Sequence, residues 1–244
     1  MRYKLTVEYN GSGFHGWQQQ QGLLSVQSVI ESALQYFLQE MVTVYCAGRT
    51  DAGVNAVAQV VHFDINRELS PIIIMNALNF YLRTKLVSIV NAELVPDSFH
   101  ARFSAKKRHY KYCIFNRRVP AVFEKSRRWQ VYKALNVIEM SRGAKFFMGR
   151  HDFNAFRSSE CQAYNSIRTI DDIEIVKDGY YIDIMLSARS FLHKQVRIMV
   201  GTLCAVGLGA MKPEQIMQII ASKDRKRAGA TAPAYALYFM GVDY

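Results

Sequence analysis

Tyr3-Lys4-Leu5-Thr6-Val7-Glu8-Tyr9 places an aromatic or aliphatic side chain at every second position and a charged or hydroxyl side chain between them. That period of two is the pattern of a strand with one buried face, so the chain opens as a β-strand over residues 3–9. Outward from it, after a Gly- and Gln-rich loop, Ser25 stands where a helix needs its N-cap. Val26, Ile30, Ala33, Leu34 and Phe37 then recur at helical spacing. Strands are expected at about Val42–Ala47 and Val57–Phe63. Ser70 and Pro71 start a helix near Ile72–Leu82, and Leu86–Val95 reads as another strand. The order β-α-β-β-α-β is that of a ferredoxin-like unit.

The same order returns further along. A strand at Arg108–Phe115 precedes a helix around Val137–Phe147, where Asn136 and Glu139 occupy the positions of a capping box. Strands at Thr169–Val176 and Tyr180–Leu186 lead into helices at Leu192–Val206 and Pro213–Ala221, and Ala236–Val242 closes as a strand. The expectation is an α+β protein of two fused ferredoxin-like halves, residues 1–100 and 101–244, joined near Pro96–Ala105. A cleft between the halves is the natural place for a site. No sequence repeat accompanies this architectural duplication.

With 244 residues, half of them hydrophobic, the chain has the means to bury a core and is not a disordered tail. The longest apolar uncharged stretch, Ile198–Met211, is 14 residues and contains three glycines, short of the ~20 residues that span a bilayer. MRYKLTVEY carries charges too regularly for a signal peptide, so a cytoplasmic protein without a membrane anchor is expected. The four cysteines lie 67, 48 and 43 residues apart, which signals neither a zinc ribbon nor a disulfide framework. The six histidines are scattered singly, and no metal is expected.

Charge is more telling. Lys and Arg number 31 against 20 Asp and Glu, a formal net charge of +11. Between Arg102 and Lys133 stand eleven bases and one acid, Glu124, nearly the whole surplus. Phe103, His109, Tyr110, Tyr112, Phe115, Phe123 and Trp129 interleave with those bases. Aromatics able to stack on nucleobases, flanked by cations for phosphates, point to RNA or another single-stranded nucleic acid.

Gly11-Ser12-Gly13-Phe14-His15-Gly16 matches GxGxxG, but Trp17 and a run of glutamines separate it from the helix that a dinucleotide fingerprint must open. It reads instead as a flexible loop whose bare backbone and Gln side chains approach RNA. The compact polar turn Gly48-Arg49-Thr50-Asp51-Ala52-Gly53-Val54 interrupts two apolar strands, and its glycines permit sharp geometry around Asp51. An Asp before Ala-Gly is most simply an Asx-turn residue. Here Arg49 flanks it, and Arg197, a charge on the apolar helix 192–206 in need of a partner, is a candidate to pair with it. Such pairing keeps a carboxylate ionised, the state required of a nucleophile or base. No second carboxylate stands near in sequence for glycosidase-type chemistry, and no carboxylate cluster for a metal-dependent nuclease.

GRTDAGV, with Asp51 inside it, resembles the signature of the tRNA pseudouridine synthase A family. YNGSGFHGWQ (9–18), SVQ (25–27), QVVHF (59–63), FHARFSA (99–105), RHYKY (108–112), GRHDFNAFR (149–157), FLHKQVRIMVG (191–201) and ATAPAYALYF (230–239) resemble family segments in the right order. The resemblance implies an isomerase that converts uridine to pseudouridine at positions 38 to 40 of the tRNA anticodon stem-loop. It implies neither cofactor nor metal, and a homodimer with a positively charged cleft. On it, Asp51 corresponds to the catalytic aspartate, Arg197 to the arginine that pairs with that carboxylate, and Arg49 to the one that helps hold the target nucleotide out of its stack. Tyr110 corresponds to the tyrosine that stacks on the target base, and Arg108, two residues before it, is expected at the substrate with it. Where the family usually has His after GRTDAGV, this chain has Asn55. The alternative kept open is a non-catalytic tRNA-binding protein or chaperone on the same fold; the strand motif of an RRM is absent.

Overall fold

A computed structural model describes residues 1–244. Along the chain run β1 (Arg2–Tyr9), α1 (Val26–Leu38), β2 (Tyr45–Cys46), β3 (Asn55–Asp64), α2 (Pro71–Leu82), β4 (Val87–Val95), β5 (Lys107–Asn116) and β6 (Trp129–Val131). They are followed by α3 (Val137–Lys145), β7 (Gly149–Asp152), β8 (Ile167–Asp178), β9 (Tyr181–Ala188), α4 (Gln195–Gly207), α5 (Gln215–Ser222) and β10 (Leu237–Asp243). The chain divides into two compact units, residues 1–108 with 238–244, and residues 109–237.

In the first unit β1 runs antiparallel to β3 on one side and to β4 on the other, with Leu5 opposite Val61 and Ala92. β2 pairs antiparallel with the far edge of β3, which completes the ferredoxin-like order β4-β1-β3-β2. Tyr3, Leu5, Val7 and Tyr9 are all buried and the residues between them are not, as period-two alternation requires. Ser25 caps α1 through a reciprocal box with Ser28, and Val26, Ile30, Ala33 and Leu34 face the core. Pro71 occupies the first turn of α2, where its missing N–H costs nothing.

One expectation shrinks. The strand foreseen over Val42–Ala47 is regular only at Tyr45–Cys46, because the Val44 N–H is taken by the Glu31 carboxylate of α1 (3.0 Å) rather than by a neighbouring strand. β10 occupies the same edge of β3 as β2 but at its other end, in parallel, with Tyr238 opposite Asn55. The turn holding Asp51 connects β2 to β3.

In the second unit β8 and β9 form an antiparallel hairpin that turns at Gly179 (φ +55°). β7, absent from the sequence reading, edges β8. β6, equally unforeseen, lies parallel to β5. Asn136 caps α3 by accepting from the Glu139 N–H. α4 begins at Gln195, later than expected: Lys194 adopts φ +62°, and the Gln195 side chain accepts from the Leu192 N–H to close that turn. Phe147, Phe153 and Phe156 pack as a buried cluster beneath the segment that carries Asn154 and Arg157.

Candidate active site

The turn that carries Asp51 is braced from several directions within the first unit. Its entry is fixed by Ala47, whose N–H bonds Val60 O (2.8 Å), and by the Gln59 side chain, whose Nε2 donates to Gly48 O (2.7 Å). Before the aspartate, Thr50 Oγ1 shares a hydrogen bond with the Tyr9 hydroxyl (2.7 Å), and Thr50 O accepts from the Trp17 N–H (3.0 Å). After it, the Val54 N–H returns to Asp51 O (3.1 Å), with Gly53 at φ +78°. Tyr9, Trp17, Thr50 and Gln59 are buried, whereas Asp51 is half-buried and Arg49 exposed. The backbone is therefore held rigidly from behind while the aspartate stands at the surface. That is the arrangement a reacting carboxylate needs, because the flanking bonds fix its position before a substrate arrives.

Part of that brace is the GxGxxG segment, which corrects the reading of it as a flexible loop. Gly11 packs so closely on the turn that an added Cβ would lie 2.2 Å from Val54 O. Gly16, at φ +91°, leaves no more than 2.8 Å to Thr50 O. Phe14 and Trp17 are buried beside them. The glycines are spaced for backbone-against-backbone packing on the aspartate turn. Asn55 finds its place here too: it is buried, and its Oδ1 accepts from the Gly11 N–H (2.9 Å), joining the two loops. An amide does this without titrating.

Arg108 is the second surprise. Its side chain is buried in the first unit, where Nη2 donates to Ala47 O (2.8 Å) and Arg102 O (2.7 Å), Nε to Ala47 O (3.3 Å) and Nη1 to Ala105 O (3.3 Å). The guanidinium thus grips the residue from which the Asp51 turn departs. Cys46 is no rival nucleophile in this loop, because burial pushes its thiol up to about 12 and keeps it protonated at neutral pH.

The second unit carries the other expected residues. Tyr110, half-buried on β5, meets Phe191 edge to face with ring centroids 5.2 Å apart. Arg197, half-buried in the first turn of α4, donates through Nε to Ala232 O (2.7 Å), and the Ala232 N–H returns to Arg197 O (3.1 Å). The basic aromatic stretch 102–133 is divided by the fold. Tyr112 and Phe115 are core, and Arg128 pairs with Asp183 (2.6 Å) and Glu124 (3.4 Å). Phe103 (73% exposed) and Phe123 (89%) stand out in solvent with Arg102, Lys106, Arg118, Lys125 and Lys133 exposed along the same stretch. No three His, Cys, Asp or Glu side chains gather closely enough to hold a metal ion, and no helix is long and apolar enough to cross a membrane.

The family profile described as tRNA pseudouridine synthase matches residues 5–104 and 144–244, stretches that include the Asp51 turn and α4 with Arg197. The chain belongs to that family. Curated relatives agree over their whole length: a tRNA pseudouridine synthase A of Wolbachia pipientis wMel is 51% identical over 245 residues, covering all of both chains. Those of Anaplasma phagocytophilum and Ehrlichia canis are 51% identical over 246 and 49% over 245 residues, again end to end. Among solved structures, a chain of a Cbf5-Nop10-Gar1 complex overlaps 82% of this chain and 54% of its own length, at a TM-score of 0.34 and 10% identity. Arg108 and Tyr110 lie between the two stretches that the family profile matches.

Proposed function

We propose that the chain isomerises uridine to pseudouridine in the anticodon stem-loop of tRNA, at positions 38 to 40, with Asp51 as its catalytic carboxylate. In that reaction the bond from uracil N1 to the ribose C1′ breaks, the base rotates, and a bond from C5 to C1′ forms. C5 loses a proton, N1 gains one, and nothing is oxidised or reduced. A carboxylate that adds covalently to the nucleotide and leaves again suffices, so the reading calls for no cofactor and no metal. The observation that carries it is the bracing of Asp51 between Thr50 and Val54, inside a segment that the family profile matches.

The remaining roles follow the chemistry. Arg197 supplies the cation that keeps Asp51 ionised, Arg49 assists in holding the nucleotide out of its stack, and Tyr110 offers its ring face to the extruded base. Extrusion itself costs a few kcal/mol of stacking and pairing, which contacts of this kind offset. Arg108 positions the turn from behind. The protein acts on tRNA in the cytoplasm as a homodimer. For the dimer, the exposed Ile72, Ile73, Phe80 and Tyr36 on α1 and α2 give the first unit an apolar face of the kind that subunit contacts cover.

The test uses a tRNA transcript tritiated at uracil C5. The wild-type protein releases tritium, and primer extension after carbodiimide treatment maps pseudouridine to the anticodon arm. Asp51→Asn, nearly isosteric, binds the tRNA with unchanged affinity and releases none. Tight binding without release by the wild type would favour a non-catalytic tRNA-binding protein instead, and turnover by Asp51→Asn would remove the aspartate from the mechanism.

A further inference from the structure

The second unit contains a cavity of about 390 Å³ that none of the roles above uses. Four separate stretches of chain converge on it. Asn154, Arg157 and Ser158 come from the turn after β7, Lys194 from the residue before α4, Arg225 from the turn after α5, and Thr231 from the segment leading to β10. Three cations and several hydrogen-bonding side chains thus face one polar hollow.

The walls are built rather than incidental. Phe153 and Phe156 anchor the first stretch in the core, and Asn154 Nδ2 ties it to Lys223 O (2.7 Å). The Arg225 guanidinium lies over its own loop, donating to Gly229 O (2.9 Å) and Thr231 Oγ1 (3.1 Å). That loop is locked to α4: Thr202 Oγ1 accepts from the Gly229 N–H (2.9 Å), and an added Cβ on Gly201 would come within 1.8 Å of Ala230 O.

The two arginines in this hollow are not neutralised by the protein. Arg157 bonds only the Ala163 carbonyl, at 3.5 Å, and Arg225 only carbonyls and a hydroxyl; neither pairs with a carboxylate. Burial lowers the Arg225 pKa, with no acid to counter it. Lys194 does have a partner, Glu160 (2.9 Å), whose carboxylate is 69% exposed, and a solvent-exposed ion pair of this kind is weak. Partly desolvated guanidinium groups with only neutral partners favour an anion with several oxygens, and phosphate geometry suits a guanidinium fork.

We infer that this pocket holds a backbone phosphate of the bound RNA strand, with Arg157, Arg225 and Lys194 as its cationic partners and the Ser158 and Thr231 hydroxyls beside them. The inference rests on the RNA substrate proposed above. It also places the phosphate beside Arg197 within the second unit. Lys194 precedes Arg197 by one helical turn, and Thr231 adjoins Ala232, which Arg197 grips. A phosphate fixed there would set the strand's register while Tyr110 meets the base.

Binding, measured without turnover, separates failure of this inference from failure of the proposed reaction. The apparent Kd of the full-length protein for unmodified tRNA is measured by anisotropy across a salt series, with tritium release followed in parallel. Arg157→Gln should weaken binding several-fold and flatten the slope of log K against log salt by about 0.7–0.9, the loss of one phosphate contact. Arg157→Lys should restore most of the slope. The melting temperature should not move, because the one contact that Arg157 makes is long. A scan of single methylphosphonates through an anticodon-arm RNA then supplies the specific readout. One substitution should weaken binding to the wild type and add nothing to Arg157→Gln.

An unchanged salt slope in both Arg157→Gln and a second variant, Lys194→Gln, would overturn the inference. So would independent, additive losses at every methylphosphonate position. Inorganic phosphate serves as the separate probe of a small-anion site. If millimolar phosphate stabilises the wild type but not Arg157→Gln, and no methylphosphonate couples to Arg157, the pocket serves a free anion and the RNA assignment fails.

Discussion

Gly16→Ala is a one-carbon test of whether the GxGxxG segment braces the Asp51 turn. The new Cβ would lie 2.8 Å from Thr50 O and 3.2 Å from both Ala52 N and Asp51 C. Ordinary contact begins near 3.4 Å, so the turn must retreat by about 0.6 Å. That retreat loosens the bond from the Trp17 N–H to Thr50 O, worth about 1 kcal/mol. Alanine at φ +91° adds backbone strain of about 1–3 kcal/mol. Together these give roughly 2–4 kcal/mol, or about 5–12 °C in melting temperature for a chain of this size. The same displacement moves the Asp51 carboxylate, the proposed reacting group. Single-turnover tritium release at saturating tRNA should therefore fall by about ten-fold or more, while tRNA affinity stays within about three-fold. Two controls divide the effect. Gly22→Ala also has a positive φ (+73°) but nothing within 4 Å, so it carries backbone strain alone; Gly13→Ala meets only Leu86 Cδ1 at 3.6 Å and should be neutral. If Gly16→Ala loses no more rate than Gly22→Ala, the segment does not brace the aspartate and the reasoning fails.

Arg108→Lys should cost about 2–3 kcal/mol in denaturant unfolding and slow turnover, because an ammonium cannot reach the Ala47, Arg102 and Ala105 carbonyls together. The salt slope of tRNA binding should not change; a slope smaller by about 0.7–0.9 would make Arg108 a phosphate contact after all. Gly201→Ala should leave little folded protein by circular dichroism, since its Cβ would sit 1.8 Å from Ala230 O. Lowering the pH should destabilise the first unit through His62, whose pKa is held down to about 4 by burial and then by His100 and Arg2. The folded state resists the proton that the unfolded chain accepts at the ordinary value of 6.5, so stability is complete above that pH, falls as pH drops through the window, and levels off near 4. The slope is at most about 1.4 kcal/mol per pH unit, and denaturant titrations at pH 7.5 and 4.5 should converge in His62→Gln.

What the sequence made legible was what neighbouring residues decide among themselves. The Tyr3–Tyr9 alternation, the Ser25 and Asn136 caps and Pro71 at the head of α2 each depend on residues a few positions apart, and each stands as expected. Features settled by distant partners were hidden. Nothing local says that Glu31 will claim the Val44 N–H and shorten β2, or that Gly11 and Gly16 owe their small size to the carbonyls of Val54 and Thr50. The site divides in the same way. The polar turn around Asp51 was legible as a compact loop between two strands, but Tyr9, Trp17 and Gln59, which hold the turn, read only as strand and loop residues. Tyr9 offered a faint signal: a phenol on a buried strand face needs a partner for its hydroxyl, and Thr50 is that partner.

The basic stretch 102–133 shows why charge counted along a sequence overstates an RNA surface. Arg108 is consumed by carbonyls and Arg128 by Asp183 and Glu124, while Tyr112 and Phe115 belong to the core. What stays at the surface sits largely on loops, with Arg118, Phe123 and Lys125 in the connection between β5 and β6. The Asp51 turn has the opposite character, with side chains and backbone committed from β1, β3 and the glycine segment. A reaction that breaks and remakes a glycosidic bond tolerates little positional error in its carboxylate, whereas a phosphate contact through a long cation tolerates a good deal. The fold allots rigidity accordingly. It places the aspartate where three segments of chain brace it, and leaves the exposed charge of the 102–133 stretch largely on loops.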